Sequence, residues 1–340
     1  MTRAMARPFE QLRFEDLPER PRIAHRYYDA DTDDVHVDSS VFGAVCVRVV
    51  SYGRRDAPPL LLVHGLMTSS YSWRYLFERL GDRHRLIAPD LPGAGRSQAV
   101  PGRPHTVAAL ATFLGELQAT LGISGCQTVG NSLGGLVCMH RALAQPSSFE
   151  RLAVIHPPGV VQARLVALHV ALRVPGVAAG LRHVVRRDPL RWAHKNVHYY
   201  DETLKSLEEA HEYGDPLASA DGAASFTRDL ADAFDPRELR AFGRRLERRR
   251  DSGEGFPVPL MMMYARQDPT VSPEVGEKLR PLLPDAEFHW LERSSHFAQV
   301  DAPDVVAGLL TQFLDGGRER QAECGGAAAG AVGITPPRDT

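Results

Sequence analysis

The sequence predicts an α/β fold organised around a mostly parallel β-sheet, and three observations predict it. Short apolar runs alternate with longer stretches whose apolar residues recur at helical spacing, the pattern of strands joined by crossover helices. One run, "LLLVHG" (60–65), is continuously apolar, as a strand covered on both faces must be. The stretch "TVGNSLGGL" (128–136) then takes a strand into a helix through a lone serine, Ser132, set between Gly130 and Gly134.

In chain order, "AVCVRVVSYG" (44–53) alternates like an early, partly exposed strand, and "LLLVHG" follows it. Helix "WRYLFERLGD" (73–82), strand "RLIAPDLPG" (85–93) and helix "TVAALATFLGELQATLGI" (106–123) come next. Strand "CQTVGNS" (126–132), helix "LGGLVCMHRALAQ" (133–145) and strand "RLAVIHPPG" (151–159) complete the first half. Two further strands, "VPLMMMYA" (258–265) and "EFHWLER" (287–293), precede a last helix over about Pro303 to Leu314.

The interval between the strands at Leu152 and Val258 far exceeds the dozen or so residues one crossover needs, so an insertion lies there. In it, "QARLVALHVALRV" (162–174) sets Leu165, Leu168 and Leu172 on one helical face. "DETLKSLEEAHEYG" (201–214) reads as a capped helix ending at its glycine, and "AASFTRDLADAF" (223–234) aligns Phe226, Leu230 and Phe234. The expected organisation is an extended N-terminal arm (1–35), a core (36–159 and 251–315), a helical cap (160–250) and a glycine-rich, disordered tail (316–340).

Composition narrows the function classes. A formal net charge of -2 supplies no global field for nucleic acid or an anionic membrane, and 43% hydrophobic with 24% charged residues is ordinary for a globular protein. Arginines cluster at Arg182, Arg186, Arg187 and Arg191, and again at Arg244, Arg245, Arg248, Arg249 and Arg250. Both clusters read as solvated helix faces, with an electropositive rim for an anionic substrate as the alternative. Cys46, Cys126, Cys138 and Cys324 lie far apart without a C-x-x-C pair, which points to neither zinc nor disulfides and fits a reducing cytoplasm. The first twenty residues lack the apolar core of a signal peptide, and no apolar run approaches the roughly 20 residues that span a bilayer.

A strand that turns abruptly into a helix strains its turn residue and needs neighbours without side chains, which G-x-S-x-G supplies. Ser132 then stands above the carboxyl ends of the strands, where open α/β sheets bind ligands, with the positive end of the following helix aimed at the same point. The alternative for Ser132 is a helix N-cap. A serine hydroxyl needs a base, and the base an orienting acid. Asp268 in "MMMYARQDPTVSP" and His296 in "WLERSSHFAQVDAP" each lie just past a strand, at the same sheet edge as Ser132.

With "HGLMTSSYSW", "DLPGAGRS", "GNSLGG", "RQDPTVSP" and "SSHFAQVDAP" in this order, the chain resembles the α/β-hydrolase fold superfamily over about Val41 to Leu314. Within it the resemblance is to the capped, epoxide-hydrolase-like and C–C-hydrolase-like branch. It implies an eight-stranded, mostly parallel sheet flanked by helices, with an inserted helical cap. It also implies an oxyanion hole made by the backbone N–H groups of Leu66 and Leu133, with His64, Gly65, Gly130, Asn131 and Gly134 shaping the site. Epoxide hydrolases of this branch carry Asp as nucleophile, whereas this chain has Ser132. C–C hydrolases usually show a Gly-Pro-Gly-like loop where "LMTSS" stands, though Asn131 is shared with them, and Ser295 replaces the glycine usual before the histidine.

Other histidines read as structural first. His64 braces its loop in the family, and His156 reads as packed, with substrate contact as the alternative. His194 and His198 stand four apart, but Lys195 occupies the place where a metalloprotease requires Glu, so no metal is expected. The expected activity is cofactor-independent hydrolysis of a small to medium, largely apolar carboxylic ester, thioester or related carbonyl compound by Ser132, His296 and Asp268. It should rise with pH as the His296 imidazole becomes free to accept a proton. The alternatives are hydrolysis of a carbon–carbon bond in a vinylogous diketone and a receptor-like module that binds ligand without turnover. The expected partner is a small-molecule substrate, with no nucleic acid, and the expected oligomeric state is monomer or homodimer.

Overall fold

Alternating side chains decide how the sheet is covered. In the strand over Pro59–Val63, Leu61 and Val63 face one hydrophobic core while Leu60 and Leu62 face a second, and all four are fully buried. Such a strand has no solvent side, which is why its sequence is apolar without a break. The computed structural model describes residues 8–328.

The strands are β1 (Asp31–Ser39), β2 (Gly43–Tyr52), β3 (Pro59–Val63), β4 (Arg85–Pro89), β5 (Cys126–Asn131), β6 (Phe149–Ile155), β7 (Leu260–Ala265) and β8 (Glu287–Leu291). They form one eight-stranded sheet in the order β1-β2-β4-β3-β5-β6-β7-β8. The pairs β1–β2 and β2–β4 are antiparallel and all others parallel. The core helices are α1 (Phe77–Leu80), α2 (Val107–Leu121) and α3 (Leu133–Ala144). Between β6 and β7 lie α4 (Ala163–Ala171), α5 (Val177–Arg187), α6 (Pro189–Asn196), α7 (Leu207–Ala218), α8 (Ala220–Asp232) and α9 (Pro236–Asp251). Helices α10 (Pro273–Leu279), α11 (Ala298–Asp301) and α12 (Pro303–Ala328) follow.

Several elements differ from the sequence-based expectation. β1 begins at Asp31, inside the stretch read as an arm, and pairs along its whole length with β2. Its sequence, DTDDVHVDS, is largely exposed, because a strand at the edge of a sheet is kept from pairing with other chains by charge. Helix α7 does not stop at Gly214: it starts after the Ser206 cap, whose hydroxyl accepts from Glu209 N at 3.2 Å, and runs on through Pro216. Gly214 is there for packing, since a Cβ on it would lie 2.8 Å from Leu190 Cδ2 and 2.9 Å from Pro189 O of α6. Helix α12 continues to Ala328, past Gly316 where the tail was expected to begin, and residues 329–340 of that tail lie outside the described residues.

Ahead of β1, the chain lies against the inserted helices. Leu207 N donates to Pro18 O at 2.8 Å, Glu208 N to Glu19 O at 3.0 Å and Phe9 N to Tyr200 O at 3.1 Å. His194 is engaged here too, through a 2.9 Å contact of Nε2 with Leu12 O, while His198 pairs with Glu202. Gln11 Nε2 reaches both, at 3.2 Å from His194 O and 3.3 Å from His198 Nδ1, so the two histidines serve to hold the chain ahead of β1.

A fully buried ion pair ties the insertion to the sheet. Arg74, on the loop after β3, donates to Glu209 of α7 at 2.7 Å, and Tyr199 Oη donates to the same carboxylate at 2.5 Å. The guanidinium lies 4.4 Å and 4.6 Å from the ring centroids of Tyr71 and Tyr75. Removing one partner strands the other charge without water. Glu209→Ala is expected to cost about 3–5 kcal/mol of stability, read from the midpoint of urea denaturation.

Candidate active site

The site begins with one residue in a conformation that side chains rarely adopt. Ser132 has φ 52° and ψ -120°. Of the order of 1–3 kcal/mol of strain must be held by its surroundings. Ser132 N donates to Ile155 O at 2.7 Å, and Leu136 N donates back to Ser132 O at 3.0 Å. The glycines allow the rest of the bend. A Cβ on Gly134 would lie 2.3 Å from both Val63 O and His64 O, and one on Gly130 would meet the Cα of Gly135 at 2.7 Å. Gly134→Ala is therefore expected to destabilise by the upper end of about 1–3 kcal/mol or more, because the atoms it strikes are backbone. Thermal denaturation of the variant checks this.

The loop after β3 is drawn against this turn. A Cβ on Gly65 would come within 3.0 Å of Ser132 Cβ and 3.1 Å of Asn131 Oδ1. Leu91 N donates to His64 Nε2 at 2.8 Å, so the ring proton is on Nδ1, which donates to Gly65 O at 2.8 Å. Burial lowers the His64 pKa and keeps this brace neutral. Beside it, Asp90 accepts from Ser70 N at 2.7 Å and Arg96 N at 2.9 Å, which shapes the "DLPGAGRS" loop. Leu133 opens α3, so its N–H is among those a helix leaves without an internal acceptor, and Leu66 lies on the loop packed against the same turn.

His296 and Asp268 meet. His296 Nδ1 and Asp268 Oδ2 are 2.7 Å apart, both residues buried, and Asp268 Oδ1 accepts from Thr270 N at 2.6 Å and Val271 N at 2.9 Å. Burial alone would raise the Asp268 pKa, but the bonded His296 ring and these N–H groups hold it below the usual carboxylate range. Asn131 Nδ2 reaches across from the serine turn to His296 O at 3.2 Å and Ile155 O at 3.3 Å, fixing the histidine loop to β5 and β6. Ser132 and His296 open onto one cavity without a direct hydrogen bond between their side chains, a common arrangement in a site without substrate.

His156 also lies here, at φ 52°, with Nε2 accepting from Ala265 N at 2.6 Å and standing 3.9 Å from Asp268 Oδ2. Burial pushes its pKa down to about 4, so it is a neutral packed ring at ordinary pH. The buried His156, Asp268 and His296 have ligand-type atoms within 4.8 Å of one another, but His156 Nε2 is already occupied by Ala265 N–H.

The cavity is about 430 Å³. Leu165, Leu168, Phe226, Leu230 and Phe234, the residues aligned by helical spacing in the insertion, all line it, whereas Leu172 faces elsewhere. Sequence reasoning did not place Met67, Gln162, Arg164, Trp192 or Phe297 there, because helix periodicity does not report which neighbouring helix a face meets.

A second carboxylate supports the histidine loop. Asp301 accepts from Ser295 N at 2.7 Å and from Tyr200 N at 2.9 Å, and burial pushes its pKa up to about 7 despite these bonds. A folded-state value raised above the unfolded value of about 4 gives stability that is full below about pH 4 and lost as pH rises through about 7. Asp301→Asn is expected to remove that part of the decline, measured by urea denaturation at about pH 5 and about pH 8.

Residues 58–303 match the family model described as alpha/beta hydrolase fold, and the chain belongs to that family. It is an alpha/beta-hydrolase enzyme of the esterase and hydrolase type. It is 27% identical over 263 residues to the 2-hydroxy-6-oxononadienedioate/2-hydroxy-6-oxononatrienedioate hydrolase of Paraburkholderia phymatum, covering 75% of this chain and 86% of that one. It is 23% identical over 290 residues to human epoxide hydrolase 4, covering 78% and 74%. Among solved structures, a thermophilic esterase from Thermogutta terrifontis superposes with a TM-score of 0.66 at 22% identity, over 84% of this chain and 99% of that one.

Proposed function

We propose that the protein is a cofactor-independent serine hydrolase in which Ser132 attacks the carbonyl of a largely apolar ester or thioester. The observation that carries this reading is the buried 2.7 Å contact between His296 and Asp268 beside a serine held at positive φ on the same cavity. With the Nδ1 proton committed to Asp268, His296 Nε2 is free to take the Ser132 proton as Oγ bonds to the carbonyl carbon. The Leu66 and Leu133 N–H groups receive the oxyanion, each such donor being worth roughly 3–4 kcal/mol of barrier. His296 then protonates the leaving alcohol or thiol, and water resolves the acyl-enzyme by the same steps. Helices α4 to α8 serve as a cap over a cavity that takes a small to medium acyl group, whereas α9 packs on the core, with Phe242 stacked on His140 of α3.

Ser132→Ala is expected to lose at least about three orders of magnitude in kcat/KM, and Asp268→Asn about four in kcat. Near-native turnover on an ester panel by Ser132→Ala would overturn the mechanism. Leu165→Trp is expected to shift the preference in that panel toward shorter acyl chains by filling the cavity.

A second reading, hydrolysis of a carbon–carbon bond, draws on the named activity of the Paraburkholderia relative. It predicts proton transfer on the substrate before attack, seen as a coloured keto intermediate in stopped-flow absorbance with a vinylogous diketone.

A further inference from the structure

Helix α4 is apolar on both sides. Its inner face sets Leu165 and Leu168 on the cavity and buries His169, and with Leu172 just beyond its end packs toward α8. Its outer face presents Ala163, Ala167, Val170 and Ala171, continued past its end by Val174, and every one of these is exposed. A helix apolar all round is ordinarily buried on all sides. Here Val170 is 57% exposed and Val174 50%, and on the adjoining turn and α5 Val177 is 40% and Val184 55%. Four of the six large exposed hydrophobic residues among those described thus fall within residues 170–184, on α4, α5 and the turn that joins them, rather than being scattered over the surface.

The charge on this segment is one-sided. Residues 160–187 contain Arg164, Arg173, Arg182, Arg186 and Arg187 and no Asp or Glu. On its flank a groove of about 440 Å³ is lined by Arg173, Arg182 and Arg228, with Asp232 as the sole acid among its lining residues. Asp232 lies 3.8 Å from Arg173 and 3.9 Å from Arg228, while Arg182 forms no ion pair among the described residues. A planar guanidinium suits a phosphate oxygen pair. Exposed small apolar side chains on the same two helices as these arginines fit a surface that is itself apolar beneath and anionic above.

We propose that α4, α5 and the turn joining them dock on an anionic phospholipid bilayer, with their exposed valines and alanines against the acyl region and their arginines and groove on lipid phosphates. Leu165 and Leu168 of α4 and Leu181 of α5 line the substrate cavity, so docking brings that cavity to a phase in which an apolar substrate concentrates. No helix among the described residues is long and apolar enough to cross a membrane, and the attachment is peripheral. What is delivered rests on the hydrolase reading, whereas attachment is measured without turnover, so the two fail separately.

The test is flotation of the full chain with vesicles of phosphatidylcholine alone and of equal parts phosphatidylcholine and phosphatidylglycerol. Binding is expected only to the second, and it should fall as salt is raised. Val170→Asp with Val174→Asp should abolish it while the thermal midpoint and the hydrolysis of a soluble short-chain ester stay unchanged. Arg182→Gln with Arg187→Gln should weaken it about thirtyfold. Failure to float with either vesicle, equal and salt-insensitive binding to both, or unchanged binding of the valine variant would overturn the proposal. So would a dimer in sedimentation equilibrium that the valine variant dissociates, without vesicle binding, since the face would then belong to a second copy of the chain.

Discussion

The positive φ of Ser132 is the constraint to which the rest of the site is fitted. A side chain held there gains nothing locally, so the strain persists only because the surroundings leave no relaxed alternative. β5 is clamped between β3 and β6, α3 starts at the next residue, and the Val63–His64 backbone passes where a Cβ on Gly134 would be. Any rotation that relieved Ser132 would drive α3 into β3 or break the bond from Ser132 N to Ile155 O.

The same economy governs the two loops that meet the serine. Each is anchored by backbone hydrogen bonds to a buried side chain. Asp268 holds Thr270 and Val271, Asp301 holds Ser295 and Tyr200, and Asn131 holds the His296 carbonyl. The imidazole is thus held against Asp268 with little freedom left to lose, which is what the proposed mechanism asks of it.

Much of this was legible in the sequence because the chemistry is local there. Glycines on either side of a serine, a continuously apolar strand before them, and an acid and a histidine just past later strands are short-range signals. What was not legible depends on partners distant in sequence. β1 carries four charged or polar residues before its first alternation and is a strand because β2 offers it an edge. Gly214 reads as a stop signal, yet it marks where α6 comes too close for a Cβ. The helical faces bearing Leu165 and Phe226 were visible, but that they close over one cavity with Trp192 and Phe297 follows only from how α4, α5, α6 and α8 pack. Asp301 stood in the quoted "SSHFAQVDAP" without a role, since its task is to bond a neighbour's N–H rather than substrate.

The central claim is that Ser132, His296 and Asp268 act as one proton relay, and covalent trapping reads it most directly. The wild-type enzyme, treated with a fluorophosphonate and digested, should carry a single phosphonyl group on the peptide containing Ser132, with His296→Gln acquiring it far more slowly. An adduct on another residue, or equal labelling of the two proteins, would contradict the account.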